Sequence, residues 1–180
     1  GYYGGLLDSV LMRITDVFLS LPTLIIVIAS VALIGPSIRN LILIIGFLGW
    51  AHIARLVRGQ YLSLREKDYV MAARCIGAKD RRIIVRHILP NLVGPLTVAA
   101  TFGVAEAILT EAALSYLGLG VQVPTPSWGN MLEAAKQVSI LKFRPWIWIP
   151  PGFMIAITVL CINIMGDGLR DALDPRATID

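Results

Sequence analysis

Residues 145–166 read PWIWIPPGFMIAITVLCINIMG, a run of 22 residues without a charged side chain. A hydrocarbon core of about 30 Å needs about 20 helical residues, so this run is long enough to cross a bilayer as a helix. Further uncharged runs occupy residues 17–38, 40–54 and 88–105. None alternates with a period of two, and open strands cannot span lipid. The sequence therefore predicts an all-α membrane protein with four transmembrane helices, at residues 16–35, 39–59, 90–113 and 147–167.

Two of the predicted spans contain residues that disturb a simple helix. The second reaches membrane length only if Arg55 and Arg58 extend their charged ends toward the membrane surface. The first contains Pro22, which can kink it.

The basic residues are concentrated in one segment. The chain of 180 residues is 56% hydrophobic and 16% charged, with a net charge of +4. Soluble domains carry about a quarter charged residues, and so apolar a chain cannot stay disordered. The segment from Arg55 to Arg86 holds nine of the 16 basic residues, so its net charge is +6 and that of the remainder is −2. Because cytosolic loops are enriched in Lys and Arg, we predict that loop 60–89 and both chain ends are cytosolic, and that loop 114–146 lies outside.

The cytosolic loop is predicted to contain two short helices separated by a glycine. Asp68 is a suitable N-cap for the first, and Gly77 can adopt the left-handed conformation that ends it. Asp80 is predicted to cap the second helix. Pro90, which disfavours helix at the preceding residue, is predicted to mark the turn into the third span. On charge alone, the basic residues have a simpler interpretation, in which they follow topology and hold anionic lipid headgroups.

The spacing of residues in this loop resembles the EAA loop of ABC-importer permeases. That pattern is Glu-Ala-Ala, three residues, Gly, nine residues and Ile-x-Leu-Pro. Met71 replaces the glutamate and His87 the first isoleucine, as in the dipeptide, oligopeptide and nickel branch of the family. The matching positions are Ala72, Ala73, Gly77, Leu89 and Pro90.

Other segments carry the same resemblance in the same order along the chain. They are GYYGG at 1–5, LSYLGLG at 114–120, PTPSWGNM at 124–131 and GDGLRDALDP at 166–175. Together they resemble the C-type permease subunit of a peptide importer, a six-span protein of which this chain would hold the last four spans. The resemblance implies a partial type I ABC-importer permease fold, with residues 1–180 forming a single transmembrane domain.

The resemblance also implies a mechanism in which the cytosolic loop is a coupling helix that docks onto an ATPase. Its small residues would allow close approach, and its large apolar residues are of the kind favoured at contact centres. The expected docking residues are Tyr69, Met71, Ala72, Ala73, Gly77, Ala78 and Asp80. The implied partners are a sister permease (as a heterodimer), two cytosolic ATPase subunits and an extracytoplasmic substrate-binding protein, in a prokaryotic inner membrane. ATP would be bound by the partners, so no cofactor is expected in this chain, and the cargo stays open among dipeptides, oligopeptides and nickel chelates.

Motifs for catalysis are missing from the sequence. It contains no phosphate-binding glycine loop and no His-Glu-x-x-His, and no Ser/His/Asp arrangement suggests itself. His52 and His87 are far apart in sequence. We therefore predict a chain that is not an enzyme, holds no metal and binds no nucleic acid.

Two glutamates in the third predicted span are candidates for a translocation path. Ionisable residues at membrane depth are functional candidates, and Glu106 and Glu111 are expected in the outer half of the membrane or at its interface. The alternative is an interfacial carboxylate paired with a neighbour. Glu106 also leaves open an ion-driven secondary transporter, and a membrane scaffold without transport is a third possibility. The outer loop 114–146 either covers an outer gate and meets the binding protein or forms a simple interfacial cap.

Overall fold

Three helices in the part of the chain that the structure describes are long and apolar enough to cross a membrane. The computed structural model describes residues 4–122 and 124–173, and these residues form helices and turns but no strand. A π-helical turn (Ile84–Ile88) joins α5 to α6, and a 3₁₀ turn (Ala134–Lys136) follows α7. The α-helices are α1 (Gly5–Ser20), α2 (Thr23–Ile34), α3 (Ile38–Leu64), α4 (Asp68–Cys75), α5 (Asp80–Ile83), α6 (Leu89–Leu117), α7 (Trp128–Glu133), α8 (Val138–Phe143) and α9 (Pro145–Leu173). The predicted all-α membrane fold is confirmed.

The long helices lie where the sequence predicts three of the four spans. α3 includes residues 39–59, α6 includes 90–113 and α9 includes 147–167. Each continues past the apolar run because backbone hydrogen bonding does not stop where charged side chains begin. Helix ends therefore extend into the polar segments that the hydrophobicity pattern excludes.

The predicted first span, 16–35, is not one continuous helix. A bend at Leu21 and Pro22 separates α1 from α2, and the two helices have membrane length only when taken together as one bent span. Proline disfavours helical geometry in the residue before it, which accounts for the interruption at Leu21. Pro22 then takes the N-cap position of α2, where its carbonyl accepts a hydrogen bond from the backbone N–H of Ile25 at 3.0 Å.

Pro90 does not break the chain between the cytosolic loop and the third span, contrary to the prediction. Helical geometry runs without interruption from Asp80 to Leu117. The π turn provides the reason, because it brings the N–H of Leu89 to the carbonyl of Ile84, five residues back. This wider turn gives room for the proline ring, which in a regular helix clashes with the preceding turn. The Asn91 side chain donates to the carbonyl of His87 at 2.7 Å.

The chain divides into two compact units. The first contains the described parts of residues 1–20, 50–100 and 166–180. Its core combines side chains of α4 with side chains from α5, the π turn and α6, and partly buried residues of α3 surround them. A fully buried Val, Leu or Ile side chain contributes about 1.5–3 kcal/mol, so the burial of Val70 helps to hold α4 on this core. The core residues are Val70, Ala73, Ile83, Ile88 and Leu92.

The second unit contains residues 21–49 and the described parts of 101–165. Its core joins α2, α3, the end of α6 and the turn that follows α6. The buried residues are Val27, Val31, Leu41, Leu114 and Val121.

Two ion pairs connect α1 to α3 within the first unit. Arg58 reaches the Asp8 carboxylate at 2.9 Å through both Nε and Nη2, and Arg55 Nη2 lies 2.7 Å from Asp16 Oδ1. The sequence predicts that both arginines extend toward the membrane surface, but in the structure each is paired with a carboxylate of α1. Because a charge near a membrane span is costly unless it is paired, the carboxylates of α1 explain how α3 carries two arginines.

Candidate functional site

The inner face of α4 is buried in the first unit. Val70 is fully buried and Ala73 is 5% exposed, and both contact the core formed with Ile83, Ile88 and Leu92. Helix α4 is linked to α3 and to α5 by short connections, at residues 65–67 and 76–79. The helix is therefore fixed to the ends of two long apolar helices.

The outer face of α4 is exposed and apolar. Tyr69, Met71 and Ala72 are exposed, and Ile76 at the end of the helix is 86% exposed. Together with neighbouring residues of α5 and the π turn, this face forms an open groove of about 470 Å³. The residues that line this α4 groove are Tyr69, Ala72, Ala73, Ile76, Gly77, Ala78, Arg82 and His87.

Gly77 ends α4 in the predicted way. Its φ is +78°, a left-handed conformation that costs other residues about 1–2 kcal/mol. Its N–H donates to the Arg74 carbonyl at 2.9 Å, and the N–H of Ala78 donates to the Ala73 carbonyl at 3.0 Å. This pair of hydrogen bonds is the Schellman motif, so the prediction that Gly77 terminates the helix is confirmed.

The predicted helix caps are wrong by one residue. Lys67 and Lys79 take the N-cap positions without a side-chain cap hydrogen bond, and Asp68 and Asp80 are the first helical residues. A carboxylate in the first turn still interacts favourably with the partial positive charge of the helix N-terminus. The aspartates therefore favour the same two helix starts by charge rather than by capping.

The structure separates the seven expected docking residues into two groups. Tyr69, Met71, Ala72, Gly77 and Asp80 are exposed. Ala73 is buried and Ala78 is half-buried, and both belong to the core of the first unit. Ala73 and Ala78 also line the α4 groove, so a docking role for all seven residues stays a prediction, with the smallest exposed surface at Ala73.

The two glutamates of α6 have different surroundings. Glu106 is exposed, and no cation among the described residues lies within ion-pairing distance of it. Glu111 Oε1 accepts a hydrogen bond from Ser115 Oγ at 2.6 Å. Ser115 is 1% exposed, and its Oγ in turn accepts from the backbone N–H of Val121 at 3.1 Å. Glu111 thus has a structural partner, and a translocation role for either glutamate stays a prediction.

Ser115 is also the point where two glycines of the outer loop contact α6. A Cβ added at Gly129 would lie 2.5 Å from Ser115 Cβ and 2.9 Å from Ala112 Cα. A Cβ added at Gly120 would lie 2.5 Å from Ser115 Cα. Only glycine permits this close approach. The segments 114–120 and 124–131 therefore meet at Ser115. The sequence does not predict this contact, because the spacing of glycines does not show which helix they touch.

Residues suited to a metal do not come together in the part of the chain that the structure describes. No group of three or more His, Cys, Asp or Glu side chains within 4–122 and 124–173 could hold an ion. The α4 groove is lined instead by apolar side chains with Arg82 and His87, a composition suited to contact with another protein.

Comparison with known families shows which kind of membrane protein this all-α chain is. The sequence matches the family described as binding-protein-dependent transport system inner membrane component over residues 1–179. The chain belongs to this family. Its fold is therefore the type I ABC-importer permease fold, and the chain is a multi-pass membrane protein of the permease family.

Curated relatives agree with the predicted branch of the permease family. The chain is 47% identical over 176 residues to the dipeptide transport system permease protein DppC of Alkalihalophilus pseudofirmus, a match that covers 98% of this chain and 57% of that protein. It is 44% identical over 177 residues to the oligopeptide transport system permease protein OppC of Bacillus subtilis, with the same coverage. A putative peptide permease protein of Brucella ovis is 45% identical over 173 residues, or 96% of this chain and 57% of that protein. The resemblance to C-type peptide permeases is confirmed, and the chain spans a little over half the length of these relatives.

Proposed function

We propose that this chain is a membrane-spanning permease subunit of an ATP-driven importer, and that it forms half of the translocation pathway for di- or oligopeptides. In this proposal α4 docks the chain onto a cytosolic ATPase subunit. The observation that carries the proposal is the two-sided construction of α4. Val70 and Ala73 fix its inner face in the core, while Tyr69 and Met71 are exposed on its outer face.

The attachments of α4 make it a suitable lever. Its connections to α3 and α5 are only a few residues long, and its core contacts include Ile88 and Leu92 at the start of α6. A force applied to the outer face would therefore reach two long apolar helices without being absorbed by a flexible loop. ATP-driven closure of two ATPase subunits would move these helices and switch access from one side of the membrane to the other.

The proposed partners and cargo follow from the family and its named members. The family is described as the inner membrane component of binding-protein-dependent transport systems, which supports a sister permease, two ATPase subunits and an extracytoplasmic binding protein as partners. The relatives are named as dipeptide, oligopeptide and peptide permeases, which supports peptides as the cargo. Loop 60–89 and both chain ends would be cytosolic, and this chain would neither bind ATP nor catalyse a reaction.

The test places a large side chain in the α4 groove of the complete transporter. Ala72→Trp starts from an exposed position, so insertion and assembly should be normal. We expect ATP-dependent uptake of a labelled tripeptide into proteoliposomes to fall about tenfold or more, because a loss of about 1.4 kcal/mol in docking already lowers affinity tenfold. Ser139→Trp on α8 is the matched control, since Ser139 is also exposed and lies in the predicted outer loop.

Two results would contradict the proposal. One is unchanged ATP-dependent uptake by the Ala72→Trp transporter. The other is uptake that continues without ATP and follows a proton or sodium gradient, which would favour an ion-driven transporter that uses Glu106.

A further inference from the structure

The α4 groove is apolar on one side and basic on the other. Tyr69 and Ile76 line it from α4, and Arg82 and His87 line it from α5 and the π turn. No carboxylate is among the described residues that line it. A groove of about 470 Å³ falls within the range of about 300–1,000 Å³ that is typical of small-ligand sites, so it can admit a few side chains of a partner.

The acidic residues of the same segments, Glu66, Asp68 and Asp80, do not line the groove. Asp68 and Asp80 lie in the first turns of their helices, and Glu66 lies 3.8 Å from Arg65. Arg82, by contrast, is exposed, and no carboxylate of residues 4–122 and 124–173 lies within ion-pairing distance of it. The basic charge of the groove is therefore available to a partner.

Topology alone does not explain the position of Arg82. An excess of basic residues in a cytosolic loop follows from the positive-inside rule, which concerns their number and not their placement. Arg82 lines the same groove as the exposed apolar residues of α4. Arginine is the residue best suited to pair with a carboxylate at a protein interface, because its planar guanidinium can donate two parallel hydrogen bonds.

We infer that the α4 groove receives an apolar side chain of the ATPase subunit flanked by at least one carboxylate, which pairs with Arg82. This inference rests on the proposed function, since it names the chemistry of the surface that the ATPase presents. Met71 supports it, because the exposed face of α4 offers a thioether where the EAA pattern has a glutamate. The attraction at this interface is therefore apolar at the centre, and its charged part places the basic residue on the permease and the acidic residue on the ATPase.

A zero-length cross-link tests the pairing directly. Arg82→Lys keeps the positive charge and adds a primary amine, which a carbodiimide joins only to a carboxylate in direct contact. We expect the complete transporter in phosphatidylcholine nanodiscs to give a mass-spectrometric adduct between position 82 and an Asp or Glu of the ATPase. The wild-type protein should give no adduct at this position, and Lys142, in the predicted outer loop, is the internal amine control.

A binding measurement gives a second readout. Arg82→Gln should weaken binding of the ATPase subunits to the permease pair about 3- to 10-fold at low salt, because charge pairs at interfaces contribute measurably when they are close. The difference should shrink at about 1 M salt, where the screening length is about 3 Å. Lys142→Gln should change neither affinity nor salt dependence.

The outcomes separate this inference from the proposed function. If the ATPase binds, Ala72→Trp blocks it, and Arg82→Gln has no effect at any salt concentration, the carboxylate partner is refuted while docking at α4 stands. An active Arg82→Lys transporter that gives no adduct at position 82 would also refute the carboxylate partner and leave docking at α4 standing. If the ATPase does not bind the wild-type permease pair, both claims fail.

Discussion

Leucine substitutions at Ala72 and at Ala73 should have different effects, one on ATPase binding and the other on the stability of the fold. Both alanines line the α4 groove, but Ala73 is 5% exposed and contacts the core of the first unit, whereas Ala72 is exposed. The two substitutions add the same isobutyl group at adjacent positions of one helix. Each is therefore the matched control for the other.

The expected magnitudes follow from these different surroundings. Ala73→Leu inserts a larger side chain among Ile83, Ile88 and Leu92, and overpacking of this kind costs about 1–3 kcal/mol. A chain of this size loses about 2–4 °C of Tm per kcal/mol, so the melting temperature should fall by about 2–12 °C. Ala72→Leu is a surface change, which is usually within about 0.5 kcal/mol of neutral, but it should reduce ATPase binding because it narrows the groove.

The assay combines thermal unfolding with a binding measurement. Intrinsic tryptophan fluorescence of the permease pair in nanodiscs gives the apparent Tm, and a pull-down with purified ATPase subunits gives the bound fraction. Two variants that melt alike would contradict the different burial of the two alanines, and so would a Tm that falls for Ala72→Leu but not for Ala73→Leu.

Three further predictions concern the remaining contacts and use the same melting assay. Gly129→Ala should lower the apparent Tm by about 2–12 °C, because the new Cβ would lie 2.5 Å from the Cβ of Ser115. Gly103→Ala is the control and should leave the Tm unchanged, because its Cβ would meet open space. Equal Tm values for the two variants would contradict the contact. Arg58→Met should destabilise more than Arg55→Met, because the α1 carboxylate that loses its arginine contact is 10% exposed in the first case and 48% in the second. The opposite order would show that these pairs are not the dominant contacts. Ser115→Ala should cost about 1–3 kcal/mol by leaving a buried N–H without its acceptor, yet ATPase binding in the pull-down should be unchanged; a loss of binding would contradict a purely local role.

The long helices could be predicted because their apolar runs exceed the thickness of a bilayer. Pro22 bends the first span, as predicted, but Pro90 does not mark the predicted turn, because the effect of a proline depends on the neighbouring backbone. Pro22 interrupts the first predicted span completely, whereas Pro90 is tolerated in a continuous helix behind the π turn. The sequence alone does not distinguish the two cases, since the π turn lies beside a tertiary contact, in which Ile83 and Ile88 are buried with residues of α4, that no local pattern reveals.

The candidate site could be located from spacing but not divided into its two faces. The Ala-Ala and Gly spacing identified the segment, and Gly77 behaves as its sequence context predicts. It did not show that Ala72 is exposed while Ala73 is nearly buried, although both line the α4 groove, because their burial depends on which side of α4 meets α3 and α6. The burial of Val70 beside the exposure of Tyr69 and Met71 becomes visible only in the folded chain.

Contacts between distant segments were the least predictable. The pairing of Arg58 with Asp8 joins residues 50 positions apart, and nothing in the local sequence indicates it. The contact of Gly129 with Ser115 similarly joins the outer loop to α6. Both depend on the tertiary arrangement within one unit rather than on helix propensity or hydrophobic period.

A photoreactive amino acid at position 72 tests whether α4 docks onto an ATPase subunit. In the complete, active transporter, irradiation should give an adduct between position 72 and an ATPase subunit, because Ala72 is exposed on the face of α4 that lines the groove. The same amino acid at position 139 should give none. An active transporter in which position 72 is linked only to lipid, or to nothing, while position 139 is linked to the ATPase, would contradict the account.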